Sequence, residues 1–331
     1  MMRFSQNVQR LLRQLTVWMP HTEKLPEKKL LDASEVGELA EYVQTLPPLF
    51  GDFSRIASQS LLGETPARFR GRGFDFEENR VYQAGDDVRT LNWHLYARNG
   101  SLYTKVFNEE RRPQVFVLLD RRGSMRFGTR RQLKIELAAK IATCCVYLAQ
   151  QSSLAVGGVM LDETIEWLDP AVDPVSIQNL INTMISACPP IDFERDQPGI
   201  EESLYLLLQQ LPSGCFVVLL SDFLDMEPAI GPLMCQLSER HLLHAIQILD
   251  PIEQRLPKVG RYLINEGGSG GYKSINGGDK IQAQQYAVAV EKHQSLLAEL
   301  FRGSEVGFTT LSTQDDVKTS IGKVYASFPG G

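Results

Sequence analysis

Two aspartates, Asp120 and Asp222, stand at the ends of short apolar runs, Val115-Phe-Val-Leu-Leu-Asp120 and Phe216-Val-Val-Leu-Leu-Ser-Asp222. An apolar run without alternation is how a strand buried on both faces reads, and the acid then marks where it emerges at the edge of a parallel sheet. Open α/β sheets bind ligands outside the carboxyl ends of their strands, so two such ends can bring two carboxylates into one crevice. Together with the hydroxyl of Ser124, in Asp120-Arg-Arg-Gly-Ser-Met125, they could hold a divalent ion and activate water on it. The same residues need do no chemistry. An aspartate near a helix start commonly caps it, and no positioned general base is visible beside either acid.

Other reactive residues do not assemble in the sequence. Histidines 21, 94, 241, 244 and 293 lie far from any nucleophile, and the spacing of His241 and His244 at a strand entrance sends them to opposite faces. Ser124 is not in a Gly-x-Ser-x-Gly elbow. Cys144 and Cys145 are adjacent on a helical pattern without Cys-x-x-Cys spacing, which suits packing better than redox work. Gly267-Gly-Ser-Gly-Gly271 and Gly277-Gly278 have neither P-loop nor dinucleotide-fingerprint spacing, and they read as a surface hairpin excursion with no strand leading into it.

The elements that must position Asp120 and Asp222 follow from periodicity. After Pro113 the pattern runs strand, helix, strand, helix, with strands expected at 114–120, 154–161, 215–221, 242–249 and 306–311. Helices are expected at 130–151, 174–187, 200–211, 227–240, 280–302 and 314–326. The fold class is therefore α/β, a doubly wound and mostly parallel sheet flanked by helices. Three regions are expected: an N-terminal helical segment over 1–50, with helices at 3–18 and 34–46; a β/loop segment over 51–112, packed on the main domain; and the sheet domain over 113–331. Between Arg68 and Arg112, Arg80, Arg89 and Arg98 alternate with Tyr82, Trp93, Asp86 and Asp87, so the local charge cancels and a polar network is favoured over nucleic-acid binding.

The net charge of −6 gives no basic field to draw the chain to nucleic acid or an anionic membrane. The five cysteines lack metal-ligand spacing and suit a reducing compartment. No apolar span is long enough for a transmembrane helix, and the N-terminus is too interrupted by charge for a signal peptide. A cytoplasmic protein is expected, with residues 3–18 able to lie on the inner membrane face as a basic amphipathic helix.

Over roughly residues 65–325 the chain resembles the bacterial domain-of-unknown-function 58 family, whose main domain is similar to a von Willebrand factor type A domain. The resemblance is carried by Gly71-Arg-Gly-Phe-Asp-Phe76, Arg80-Val-Tyr82, Gly85-Asp86-Asp87-Val-Arg89, Asn92-Trp93, Ala97-Arg98, Lys105-Val-Phe107 and Glu110-Arg111. It continues through Asp120 to Met125, Phe127-Gly128, Ser221-Asp222-Phe223, Asp250-Pro251, Glu253 and Leu256-Pro257. Gly71, Gly73, Arg80, Tyr82, Gly85, Asp86, Asp87, Arg89, Trp93 and Arg98 are assigned structural roles.

The resemblance implies a cation site of the metal-ion-dependent adhesion type, in which Asp-x-Ser-x-Ser, a threonine and a second aspartate hold an ion that a partner's carboxylate completes. Here Asp120, Ser124 and Asp222 match, but Arg122 replaces the first serine, and the threonine loop falls in Gln197-Pro-Gly-Ile200, where Pro198 brings no hydroxyl. Losing neutral ligands weakens the site, and a guanidinium supplies a rival positive charge. The expectation is a degenerate, metal-free site in which Arg122 bridges Asp120 and Asp222; its alternative is a weak Mg2+ or Mn2+ site on Asp120, Ser124 and Asp222.

No cofactor is called for. The resemblance also implies a non-enzymatic adaptor or co-chaperone working with a MoxR-type AAA+ ATPase on a protein client, through the crevice of Asp120, Arg122, Ser124 and Asp222. The alternatives are a metal-dependent hydrolase using Asp120 and Asp222, or an inner-membrane-associated scaffold.

Overall fold

A computed structural model describes residues 16–18, 29–50, 75–83, 91–108, 114–189, 197–256, 261–265, 272–276 and 278–327. In chain order the elements are β1 (Thr16–Trp18), α1 (Ala33–Gln44), β2 (Asp75–Val81), α2 (Trp93–Asn99), β3 (Tyr103–Asn108), β4 (Gln114–Asp120) and α3 (Lys134–Gln151). There follow β5 (Ala155–Leu161), β6 (Ile165–Ala171), α4 (Pro174–Met184), α5 (Ile200–Gln210), β7 (Phe216–Ser221), α6 (Gly231–Ser238), β8 (Leu242–Leu249) and α7 (Pro251–Gln254). The last are β9 (Arg261–Asn265), β10 (Tyr272–Asn276), α8 (Lys280–Gly303), β11 (Gly307–Ser312) and α9 (Val317–Ser327). The chain divides into two compact units, Phe53–Pro113 and the remainder.

The larger unit is built on a six-stranded sheet of order β11-β8-β7-β4-β5-β6, parallel throughout except for β6, which runs antiparallel to β5. Its central strands are apolar along their whole length because both faces are covered: every residue of β7 is buried, and so is every residue of β4 after Gln114. On one face, α5, α6 and α8 bury Leu204, Met234 and Phe301 against Phe116, Leu118, Val217 and Leu219. On the other, α3 lies across the strands between the sheet and α1, with α4 and α9 beside it. A helix covered on both sides must be apolar nearly all round; hence both Cys144 and Cys145 are buried, and burial pushes the Cys145 thiol up to about 12.

All five strands expected after Pro113 are present within a residue of the expected bounds. β6 was not expected. Its sequence, Ile-Glu-Trp-Leu-Asp-Pro-Ala, mixes charges and a proline, which an edge strand tolerates and a central one does not. The expectation that no strand precedes Gly267 is corrected by β9, which pairs antiparallel with both β1 and β10. The helix expected over 3–18 lies outside the described residues except at Thr16–Trp18, which form β1. The helix expected over 34–46 is α1, opened by a capping box between Asp32 and Glu35.

In the smaller unit β2 pairs antiparallel with β3 across a bulge at Phe76/Glu78. The intervening α2 was not expected; Asn92 caps its first turn and Gly100, at φ 66°, closes it in the left-handed conformation. Gly71, Gly73, Gly85, Asp86, Asp87 and Arg89 lie outside the described residues. Arg80 lies on β2, Tyr82 follows it half-buried, and Trp93 and Arg98 are exposed on α2, where Trp93 meets Tyr96 edge-on at 6.3 Å.

The chain leaves β4 in one direction toward β5 and β6 and later returns to β4's other side as β7. The strand order therefore reverses at β4, and the crevice beyond the carboxyl ends of β4 and β7 is where such sheets bind ligands.

Candidate functional site

β4 ends at Asp120 and passes into a tight turn, Arg121 to Met125, anchored by the buried Met125. β7 ends at Ser221, and the following loop is shaped by Phe223, whose φ of 55° lies in the left-handed region that bulky residues avoid. Two contacts hold it there. Its N–H donates to Ser221 Oγ at 3.0 Å, and its ring packs edge-on against Phe301 at 5.3 Å. Strain of this kind gathers where a loop must present particular groups.

The group presented is Asp225. Arg122 turns inward with only 11% of its side chain exposed and forks between two carboxylates. Its Nε and Nη2 donate to Asp120 at 3.0 and 2.7 Å, and its Nη1 and Nη2 donate to Asp225 at 2.6 and 3.1 Å. The expected bridge to Asp222 is thereby corrected: Arg122 joins Asp120 to Asp225, three residues further along the same loop. Planar bidentate pairing on both edges is what a guanidinium offers and an ammonium does not.

Asp225 also accepts the Ile200 N–H at 3.0 Å, at the start of α5. The segment Gln197-Pro-Gly-Ile200 thus contributes a helix N-terminus where the resemblance implies a threonine hydroxyl. Burial would raise the Asp225 pKa, but Arg122 and the Ile200 amide outweigh it and hold the carboxyl below its usual range. For Arg122 the two carboxylates likewise overcome burial, and its pKa lies well above the ordinary arginine value.

Asp222 faces a different cation. Lys134, the first residue of α3 and wholly buried, donates to Asp222 at 2.8 Å and to Glu253 at 2.6 Å. Burial opposes the Lys134 charge, yet these two carboxylates reverse the effect and its pKa rises. One ammonium shared by two buried acids leaves a surplus of negative charge. Burial first, with Asp222 adding to it, pushes Glu253 up to about 6 against the pull of Lys134. Next to this triad, Asp250 accepts from the Thr129 N–H at 2.7 Å, the Thr313 hydroxyl at 2.7 Å and the Ile252 N–H at 3.1 Å, tying together the carboxyl ends of β8 and β11.

Ser124 is half-buried and has no hydrogen-bond partner among the described residues. Arg121 points to the opposite side of the sheet from Arg122. It is buried and donates to the carbonyls of Thr183, Ser186 and Ala187 at 3.4, 3.1 and 3.0 Å, closing the carboxyl end of α4. Arg121 and Arg126 both pair with Asp162, at 3.2 and 2.6 Å.

The site therefore contains four residues that the sequence reading missed: Asp225, Lys134, Glu253 as a partner of Lys134, and His293. His293, on α8, is buried close enough to Asp222, Asp225 and the Phe223 carbonyl for all three to act on its charge, and burial holds its pKa below the ordinary value. A signal existed for Lys134, a charge placed at the mouth of a helical pattern that carries only Glu136 and Lys140 besides it. None existed for choosing Asp225 over Asp222, since both follow the same strand.

The oxygens do not fit a divalent ion in this arrangement. Both oxygens of Asp120 are engaged, by the Arg122 main-chain N–H at 3.1 Å, its Nε and Nη2, and the Ser221 hydroxyl at 2.6 Å. The guanidinium lies between Asp120 and Asp225, while Asp222 is turned to Lys134. The pair of acids on which a shared catalytic ion would depend is thus divided between two cations.

The sequence pattern of the family described as "Protein of unknown function DUF58" matches residues 78–296. "Uncharacterized protein Rv1480" of Mycobacterium tuberculosis strain H37Rv and "Uncharacterized protein Mb1516" of Mycobacterium bovis are each 26% identical to the chain over 261 residues, covering 78% of it and 80% of their own length. Among solved structures, the conserved hypothetical protein BatB from Bacteroides thetaiotaomicron aligns over 65% of this chain and 96% of its own, at 13% identity and a TM-score of 0.43. An aerotolerance-related membrane protein from Bacteroides fragilis aligns over 65% and 100%, at 13% identity and a TM-score of 0.39.

Proposed function

The chain belongs to the DUF58 family, and on that premise we propose that it is a non-enzymatic protein-interaction module, its sheet domain of the von Willebrand factor A type, that serves as adaptor or co-chaperone to a MoxR-type AAA+ ATPase. The docking surface is the crevice over Arg122, Ser124 and Asp225, with the buried Asp120 fixing Arg122 from beneath. One observation carries the reading: the guanidinium of Arg122 is chelated by Asp120 and Asp225 at the strand-order reversal, so the most polar groups of the crevice are already paired. A reaction centre needs a base or nucleophile with a free lone pair near substrate, whereas a docking site needs a fixed shape and a fixed charge pattern.

The hydrolase alternative draws no support from the geometry, because Asp120 and Asp222 have separate counter-ions. For the membrane-associated alternative, no helix among the described residues is long and apolar enough to cross a bilayer.

The test is retention of a purified MoxR-type ATPase on the immobilised protein, compared with Asp225→Lys and with a distant control, Glu291→Lys, on the exposed side of α8. Retention lost with Asp225→Lys and kept with Glu291→Lys is the expected result. Equal retention by both variants rejects this crevice as the contact, and no retention by the unaltered protein rejects the partner.

A further inference from the structure

The site that the type A resemblance implies takes a divalent ion, and the residues of this chain do not fit one; the disagreement itself points to what Arg122 does. We propose that Arg122 is the crevice's resident cation, fixed by its own backbone, and that Asp120 and Asp225 form a latent divalent-cation site which the guanidinium occludes.

The geometry specifies what would be left if the guanidinium were removed. Asp120 would keep the main-chain N–H of residue 122 and the Ser221 hydroxyl, and each of its oxygens would lose one donor to the vacated space. Asp225 would keep the Ile200 N–H on Oδ2 and lose one guanidinium donor from each oxygen. Asp120 is wholly buried, and a buried carboxylate without a partner strongly favours any cation that can reach it. Access exists, since the Asp225 side chain is 26% exposed. Water can complete the oxygen set that a hard ion requires around the two carboxylates.

In the unaltered chain an external ion must displace a group held only two residues from Asp120. Such a tether holds the guanidinium at a high effective concentration beside Asp120, against which an external ion must compete. An arginine guanidinium keeps its charge across the working pH range, so it does not release the site by losing a proton. The crevice is thus charged and shaped without any ion from solution.

Calorimetric titration with manganese chloride tests this without any partner protein, so its outcome is separate from that of the docking reading. The unaltered protein should give no binding heat, Arg122→Ser should bind one equivalent, and Arg122→Ser with Asp120→Asn should lose it. Manganese binding by the unaltered protein that Asp120→Asn abolishes would overturn the proposal, as would a folded Arg122→Ser protein that binds none. If Arg122→Ser melts too easily for calorimetry, its thermal unfolding is followed with and without manganese. A manganese-dependent rise in melting temperature, absent from the unaltered protein, is then the supporting result. No rise counts against the latent site.

Discussion

Replacing Glu253 with glutamine should remove one identifiable slope from the pH dependence of stability. Glu253 is 6% exposed and its pKa rises from an ordinary 4.5 to about 6 in the fold, so the folded chain holds this proton more tightly than the unfolded one. A raised folded-state pKa contributes stability that is fully present below about 4.5 and is lost as pH climbs through about 6. A shift of about 1.5 units at about 1.4 kcal/mol per unit amounts to about 2 kcal/mol, an order-of-magnitude figure for a coupled buried group. His241 and His244, both pushed down to about 4 by burial, act in the opposite sense, since a depressed histidine loses stability as pH falls below about 6.5. The raw stability curve mixes these effects; the difference between the unaltered protein and Glu253→Gln isolates the carboxyl. Urea unfolding from pH 4.5 to 8 measures it. The advantage of the unaltered protein over the variant should shrink by about 2 kcal/mol between pH 4.5 and 7. A difference that stays flat, or grows with pH, refutes the assignment of surplus negative charge to the Lys134 triad.

Arg122→Ala strands the buried Asp120 and should cost about 3–5 kcal/mol in urea unfolding, far more than a surface arginine would. Lys134→Met removes the only cation bonded to Asp222 and Glu253 among the described residues and should cost a similar amount, and adding Asp222→Asn and Glu253→Gln should recover part of it. At Phe223, glycine should be less damaging than alanine by about 1 kcal/mol although it is smaller, because alanine must still adopt the left-handed backbone; equal stabilities would show that the backbone conformation carries no cost. Cys144 and Cys145 should resist thiol reagents until the chain unfolds, while the half-buried Cys188 reacts in the native state, which a timed labelling experiment separates.

The sheet was legible because its strands are buried on both faces, and continuous apolar runs between helical patterns leave few other readings. The crevice was legible in outline for the same reason: an acid at the end of such a run must lie at the sheet's edge. What the sequence does not encode locally is the direction in which a loop turns its side chains. Asp222 and Asp225 are three residues apart, and the choice between them depends on the left-handed backbone at Phe223, which in turn depends on Phe301, nearly eighty residues later. Lys134 found its partners only when α7 brought Glu253 beside β7, a contact across 119 residues. β6 and α2 escaped notice because neither carries a strong period: one is an edge strand with a proline, the other a helix of 7 residues with no buried face.

The arginines at positions 121 and 122 leave the end of β4 toward opposite sides of the sheet, one fastening the end of α4 and the other the start of α5. A single strand terminus thereby rivets the two helical layers together, and the rim cannot open on one side without straining the other. Under the proposed docking role, a partner would meet a surface whose ordering was completed during folding, with little further loss of freedom at contact. Changes to individual rim contacts should accordingly alter how long a complex survives more than how fast it forms.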